Sequence, residues 1–195
     1  MTKSQSKETF IWYDGPTGSG RTTSIKVLLM NHNPVLNYLD NLNSMCWQLQ
    51  NYDYNSRIRN ISVAFAINRK FEPYDDQTFK EEFEDPWVLE KQYLEKLQGI
   101  IFVVTLDPLR RKIHHHYLAR LHQNLRWVGR NPRDIPMVFQ LNHMDLEQKT
   151  SIEEVKKDLK WYECIYQPSI AYKQLGVKYA VDSLIEMIDE KNDTK

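Results

Sequence analysis

The sequence predicts an α/β fold, a mostly parallel central sheet covered by helices on both faces. Three observations predict it. Strand-like and helix-like stretches alternate from Phe10 to Ile188. Two runs, Gly99 to Val104 (GIIFVV) and Ile135 to Leu141 (IPMVFQL), are nearly continuous in apolar residues, as strands buried on both faces must be. A glycine-rich loop, Gly15 to Gly20, ends a first strand and opens a helix.

The first strand is Phe10 to Asp14, short and aromatic, and a helix follows from Thr22 to Met30 with Ile25, Val27, Leu28 and Leu29. Residues 31–60 are rich in Asn and Tyr and match no template. Ile61 to Ile67 (ISVAFAI) has the β-branched and aromatic content of a strand. Residues 68–98 are charged, with a helix expected from about Trp87. After the buried strand 99–104, Asp107 is an N-cap and Pro108 a first-turn residue of a helix expected to run to Val128. Its apolar stripe is Leu109, Ile113, Tyr117, Leu121, Leu125 and Val128, and it stops at Gly129 before Asn131-Pro132. Strand 135–141 comes next. Ser151 and Glu154 form an S-x-x-E capping box for a helix to Leu159. Glu163 to Tyr166 is a short strand, and Val177 to Ile188 closes the chain as an amphipathic helix.

The 195 residues suit one domain, placed at 10–190 between polar tips, 1–9 and 191–195, expected to be mobile. Apolar residues are 41% and charged residues 27%, a globular composition. The 26 basic and 26 acidic residues cancel, which argues against sequence-independent nucleic-acid binding. Two cysteines, Cys46 and Cys164, give neither a disulfide framework nor metal-ligand spacing, so a reduced, cytoplasmic setting is expected. The polar start lacks a signal peptide's apolar region, no run is long enough to span a bilayer, and no lipidation motif is present, so no direct membrane insertion is expected.

Residues 15–23 read Gly-Pro-Thr-Gly-Ser-Gly-Arg-Thr-Thr. This is the phosphate-loop pattern G-x-x-x-x-G-K-[ST] with Arg21 in place of lysine. Such a loop cradles phosphates with successive backbone N–H groups and delivers them to a helix N-terminus. Gly15, Thr17, Gly18, Ser19, Gly20, Arg21, Thr22 and Thr23 are therefore the phosphate-binding candidates, and Thr22 is the candidate Mg²⁺ ligand. Arg21 keeps the positive charge but loses the compact ammonium. Asn142-His143-Met144-Asp145 follows the strand 135–141 and has the form N-K-x-D with His143 for lysine. A carboxylate at Asp145 can accept the two donors of a guanine edge, which adenine does not offer. Asn142 would hold this segment against the phosphate loop, and the His143 ring can lie against a base. Ser169, Ile170 and Ala171 follow the last strand, where a backbone N–H to the guanine carbonyl belongs.

With these motifs in order, the chain resembles the Ras superfamily, and within it the bacterial MglA-like small GTPases. The resemblance rests on Ile11, Tyr13, Gly15, Pro16, Gly20, Thr22 and Thr23, on Gln140, Asn142, Asp145 and Leu146, and on Ser169, Ala171, Gly176 and Val177. It covers roughly 10–190 and is carried by the loop and by 99–188. It implies a three-layer P-loop NTPase fold (a small G domain), GTP or GDP with Mg²⁺ as ligands, and a roadblock-fold regulator as a protein partner.

Residues 31–98 depart from the family. No threonine occurs between Thr23 and Thr78, and no glycine between Gly20 and Gly99. The threonine of the first switch and the glycine of the second, which sense the γ-phosphate in the family, thus lack counterparts, as does the catalytic glutamine. Asp75, Asp76 and Asp85 are the candidates to substitute for a Walker-B acid, with no positional support. The expectation is guanine-nucleotide binding with weak or impaired GTP hydrolysis; the alternative is a pseudo-GTPase that serves as a scaffold. A P-loop kinase or ATPase fits less well, because Asn142 and Asp145 disfavour adenine. His114, His115, His116 and His122 read as a solvated helix face, with no Cys or acidic partner at ligand spacing. Trp12 and Trp161 read as packing. Glu81, Glu82, Glu84 and Asp85 read as surface, or as a partner-binding element.

Overall fold

The computed structural model describes residues 8–32, 34–37, 44–66, 91, 93–160 and 164–194. The strands are β1 (Glu8–Asp14), β2 (Pro34–Asn37), β3 (Ser44–Tyr54), β4 (Arg57–Ala66), β5 (Gly99–Thr105), β6 (Met137–Asn142) and β7 (Ile165–Pro168). The helices are α1 (Arg21–Met30), α2 (Ile113–Trp127), α3 (Ile152–Leu159) and α4 (Val177–Asp193).

Side chains alternate across a strand, and here the alternation fills two cores. On β1 and β5, Ile11, Tyr13, Ile101 and Val103 face one way, while Trp12, Ile100, Phe102 and Val104 face the other. The first set packs with Ile25 and Leu28 of α1 and with Val181, Leu184 and Ile188 of α4. The second packs with Tyr117, Leu121 and Leu125 of α2, Val155 and Leu159 of α3, and Tyr93, Leu94 and Leu97. All seven residues of β5 are buried, as the apolar run 99–104 requires. The molecule is thus α/β, with helices on both faces of one sheet.

Among the described residues that sheet has seven strands in the order β2-β3-β4-β1-β5-β6-β7. Strands β4, β1, β5, β6 and β7 are parallel, whereas β3 is antiparallel to both β2 and β4. The unassigned stretch 31–60 therefore holds β2, β3 and the start of β4. Its hairpin turns at Asn55 and Ser56, both left-handed (φ 48° and 61°), the pair of signs that matches strand twist in a two-residue loop. An irregularity between Leu49 and Tyr52, with Asn51 at φ 56°, further obscures the alternation in β3.

Several boundaries move. β1 starts two residues early because Glu8 and Thr9 pair with Asn60 and Ile61 of β4. α4 runs on to Asp193, within the segment expected to be a mobile tip. β7 sits two residues later than expected, in register with Val138 to Leu141 of β6. Residues 93–96 are helical as expected, while the start near Trp87, the acidic cluster 81–85 and Trp161 lie outside the described residues. The single helix expected from Asp107 is two pieces. Asp107 does cap, its carboxylate accepting from Leu109 N–H at 3.0 Å, but the cap closes only a 3₁₀ turn, Pro108–Arg110. A 3₁₀ turn winds more tightly than an α-helix, and Leu109 ends up 95% exposed instead of in the stripe. Arg111 then reaches across to α3, pairing with Asp158 and with Glu154 at 3.0 Å, and α2 begins only at Ile113. The capping box at Ser151 and Glu154 forms in both directions. No described helix is long and apolar enough to cross a membrane.

The reading of His114 as part of a solvated face is corrected, while His115 and His116 are exposed as expected. His114 is buried, and its Nε2 accepts the Thr105 N–H at 3.0 Å. That leaves Nδ1–H to donate to Arg111 O at 3.0 Å, so the ring must be neutral. Burial lowers its pKa, and burial with Arg126 beside it lowers that of His122 to about 4. Both depressed groups bind more protons in the unfolded chain. Their stabilisation is complete above the ordinary histidine pKa of about 6.5 and is lost as pH falls from there toward 4. The urea midpoint should therefore drop between pH 7 and pH 5, and His114→Gln, which keeps an acceptor but cannot titrate, should flatten that drop. An equal drop in both proteins would show that His114 does not contribute.

Candidate functional site

Parallel strands end together, so the loops after β1, β5, β6 and β7 share one edge of the sheet. Residues 15–20 follow β1, 106–112 follow β5, 143–151 follow β6 and 169–176 follow β7. The three segments singled out from the sequence therefore sit side by side.

Asn142 joins them. Its side chain is buried at the end of β6, and its Nδ2 donates to Ser19 O at 2.9 Å. Its Oδ1 accepts the Ala171 N–H at 2.9 Å and the Ser169 hydroxyl at 3.4 Å. One amide thus clasps the 15–20 loop on one side and the 169–171 turn on the other. Gln140 reinforces it from below, donating to Ser24 Oγ at 2.8 Å and Ser169 Oγ at 3.1 Å. The approach is close enough to explain Gly20: a Cβ there would lie 1.9 Å from Asn142 Nδ2, and the residue has φ 92°.

Within the loop, Gly15 N–H donates to Asp14 Oδ1 at 2.7 Å and Ser19 N–H to Pro16 O at 3.1 Å. The N–H groups of Thr17, Gly18, Gly20, Arg21, Thr22 and Thr23 find no partner among the described residues. These donors, interrupted only by the engaged Ser19 N–H, lie at the positive end of α1, the arrangement that anion binding by a backbone loop requires. Thr22 is exposed in the first turn of α1. A single hydroxyl falls short of a divalent cation's donor set. Among the described residues no three His, Cys, Asp or Glu side chains cluster, and Asp75, Asp76 and Asp85 lie outside them.

Arg21 does not extend along the loop. Its Nη1 donates back to Gly15 O at 3.2 Å and lies 3.8 Å from Asp14 Oδ1, with the side chain only 16% exposed. The cation across the outer side of the loop is instead Arg110. Its Nη1 donates to Thr17 O at 2.7 Å and would be 2.2 Å from a Cβ on Gly18. Gly18 has φ 77°, and its missing side chain makes room for this guanidinium. Arg110 lies 3.6 Å from Asp107 and stays half exposed. The sequence motif did not reveal it. The signal was the Asp107-Pro108 turn, which holds residues 108–110 at the loop edge of the sheet.

At the other end, His143 adopts φ 66° and its Nδ1 meets Thr105 Oγ1 at 2.7 Å, which fixes the ring. Asp145 Oδ2 accepts the Tyr172 hydroxyl at 2.5 Å, with Lys173 Nζ 3.9 Å away. The Tyr172 hydrogen bond, aided by the charges of Lys173 and His143, holds the Asp145 carboxyl below its ordinary range. Ser169, Ile170 and Ala171 are placed beside it, but their N–H groups are engaged by Leu141 O, Leu175 O and Asn142 Oδ1. These three residues brace the edge of the site. Tyr172 and Lys173, next in the chain, put side chains on the carboxylate.

No protein-family model matches the chain, and no curated protein matches it significantly.

Asn142 tests the clasp directly. Asn142→Ala leaves the Ser19 carbonyl and the Ala171 N–H buried without partners, at a cost of roughly 2–4 kcal/mol. Gly20→Ala should cost a similar amount by displacing the same amide. A change below about 0.5 kcal/mol in denaturant unfolding of Asn142→Ala would show that the loops hold their positions without it.

Proposed function

We propose that the chain is a guanine-nucleotide-binding protein of the small-GTPase kind, similar to the MglA-like GTPases, with slow or impaired hydrolysis. The observation that carries this reading is the Asn142 clasp, which joins the loop with its unengaged N–H donors to the segment that bears the Asp145 carboxylate. In this reading the N–H groups of 17–23 and the N-terminus of α1 hold the phosphates, with Gly15, Ser19 and Gly20 shaping the loop. Arg110 supplies the cation. Asp145 reads the guanine edge, and His143 lies against the base. Thr22 is the hydroxyl that this reading offers to Mg²⁺, the ion that would neutralise phosphate charge.

One observation favours the pseudo-GTPase form of the same reading. Arg21 stands where the lysine of the pattern bridges the terminal phosphates, yet its charge is directed at Asp14. Phosphoryl transfer depends on charge stabilisation and a positioned nucleophile, and the sequence supplies neither switch glycine nor catalytic glutamine. A binding role in a cytoplasmic assembly, with a roadblock-fold protein as the partner the resemblance suggests, fits these departures.

Nucleotide released by acid from the purified protein should be GDP or GTP at near one per chain, and single-turnover hydrolysis should be very slow. A protein that is empty and ignores added GTP with Mg²⁺ overturns the reading. Arg110→Ala should weaken GDP by about tenfold while leaving guanosine unchanged, as expected for loss of a charge-assisted phosphate contact. Arg21→Lys should tighten GDP; no change there would place the weakness in the switches.

A further inference from the structure

Asp14 stands at the root of the 15–20 loop, where β1 ends. Its Oδ1 accepts the Gly15 N–H at 2.7 Å, so the first donor of the loop is already bound to an anion of the chain itself. Arg21 Nη1 lies 3.8 Å from the same oxygen, and no other described carboxylate pairs with Arg21. The Arg21 and Asp14 side chains are 16% and 6% exposed, and Arg21 Nε is buried with no hydrogen-bond partner among the described residues. A guanidinium buried to that extent needs a counter-charge, and a pair so placed is screened little by salt. Gly15 holds both partners, Asp14 through its N–H and Arg21 through its carbonyl. It is itself wedged against β5 and the far side of the loop: a Cβ there would lie 2.4 Å from Val103 O and 3.1 Å from Ser19 Oγ. An anion entering the loop therefore meets a held pair whose charges cancel.

We propose that Asp14 is an affinity-setting residue of the phosphate site, a resident carboxylate that keeps the Arg21 charge within the protein and so holds phosphate binding down. The pair acts as one neutral unit beside the anion. Removing the carboxylate alone leaves one net positive charge at the loop. Removing the guanidinium alone leaves one net negative charge. Removing both returns the local charge to that of the wild type. This rests on the guanine-nucleotide reading above. It adds that Asp14, and not only the residue at position 21, limits the grip on phosphate.

The test is GDP affinity by calorimetry on the full chain, with guanosine as the uncharged control. Asp14→Asn keeps an oxygen for the Gly15 N–H and should tighten GDP by about tenfold, the scale of one unit charge acting over several ångströms at a partly buried site, with guanosine unchanged. Arg21→Gln should weaken GDP by a similar factor. The double variant should return to within about threefold of the wild type, because the two charges act only through their sum. A gain below about fivefold in Asp14→Asn overturns the proposal. So does a double variant that binds GDP as weakly as Arg21→Gln, since Arg21 would then touch phosphate directly. An equal gain for guanosine places the effect in loop stability and also counts against it. If Asp14→Asn does not fold, Asp14→Ser offers the same N–H an oxygen and takes its place; failure of both to fold assigns Asp14 to the fold alone and overturns the proposal. GDP bound equally by the wild type and Asp14→Asn sinks the proposal and leaves the nucleotide reading standing, whereas GDP bound by neither folded protein sinks that reading as well.

Discussion

The loop edge depends on one buried carboxamide. Asn142 lies at the end of β6, paired with Thr105 across from β5, so the sheet fixes its position before any loop forms. From there it must satisfy a carbonyl on one loop and an N–H on another. Over that short reach an amide donates at one atom and accepts at another. Aspartate would lose the bond to Ser19, and leucine would lose both while leaving two buried backbone groups unpaired. The interaction accounts for Gly20, because nothing larger fits against the amide. It also accounts for Ser169 and Gln140, whose hydrogen bonds steady the same corner. The loops carry little core of their own, so a few hydrogen bonds decide their shape where apolar packing on both faces decides the sheet.

The parts legible in the sequence are those with strong local physics. A strand buried on both faces must be apolar throughout, and β5 is, so its place could be read directly. The capping box of α3 is a reciprocal pair of hydrogen bonds encoded within four residues, and it forms as written. Motif order along the chain placed the three loop segments, because parallel strands deliver their C-terminal ends to one edge. What was not legible depends on pairing at a distance. β3 and β4 form a long hairpin, but Asn55-Ser56 is a weaker turn signal than Asn-Gly, and the irregularity at Asn51 breaks the alternation of period two. β7 is only half buried, so its register comes from β6 and not from its own residues. Arg110 and Tyr172 carry no motif at all; each matters because of the loop it lies against.

His114 illustrates the same division. In the sequence it is one of three adjacent histidines, two of which are exposed. In the fold it receives a backbone N–H from the end of β5 and returns one to Arg111, bridging the turn that the expected helix overran. A buried neutral imidazole can do this because it donates at one nitrogen and accepts at the other. The Arg111 side chain is bound to α3 at the same point, so the break between the 3₁₀ turn and α2 is fixed from both sides.

The charged groups at the loop edge share a common property. Arg21 is turned to Asp14 and Gly15, Arg110 to Thr17 and Asp107, and Asp145 to Tyr172 and Lys173. A ligand that uses these side chains must exchange existing hydrogen bonds for new ones. Exchange yields far less free energy than engaging a bare group in a water-poor site, about 1 kcal/mol per bond against the several that an unpaired buried charge would return. The unengaged backbone N–H groups of 17, 18 and 20–23 are different, since nothing in the described protein competes for them. The net attraction for an anion therefore comes chiefly from the backbone and the α1 terminus, with the arginines as modulators. If it binds phosphate as proposed, such a site would do so by geometry and offer little extra stabilisation to charge that develops during bond cleavage. On the proposed reading, loop shape rests on the Asn142 clasp, while the side-chain charge that hydrolysis would need is already paired within the protein.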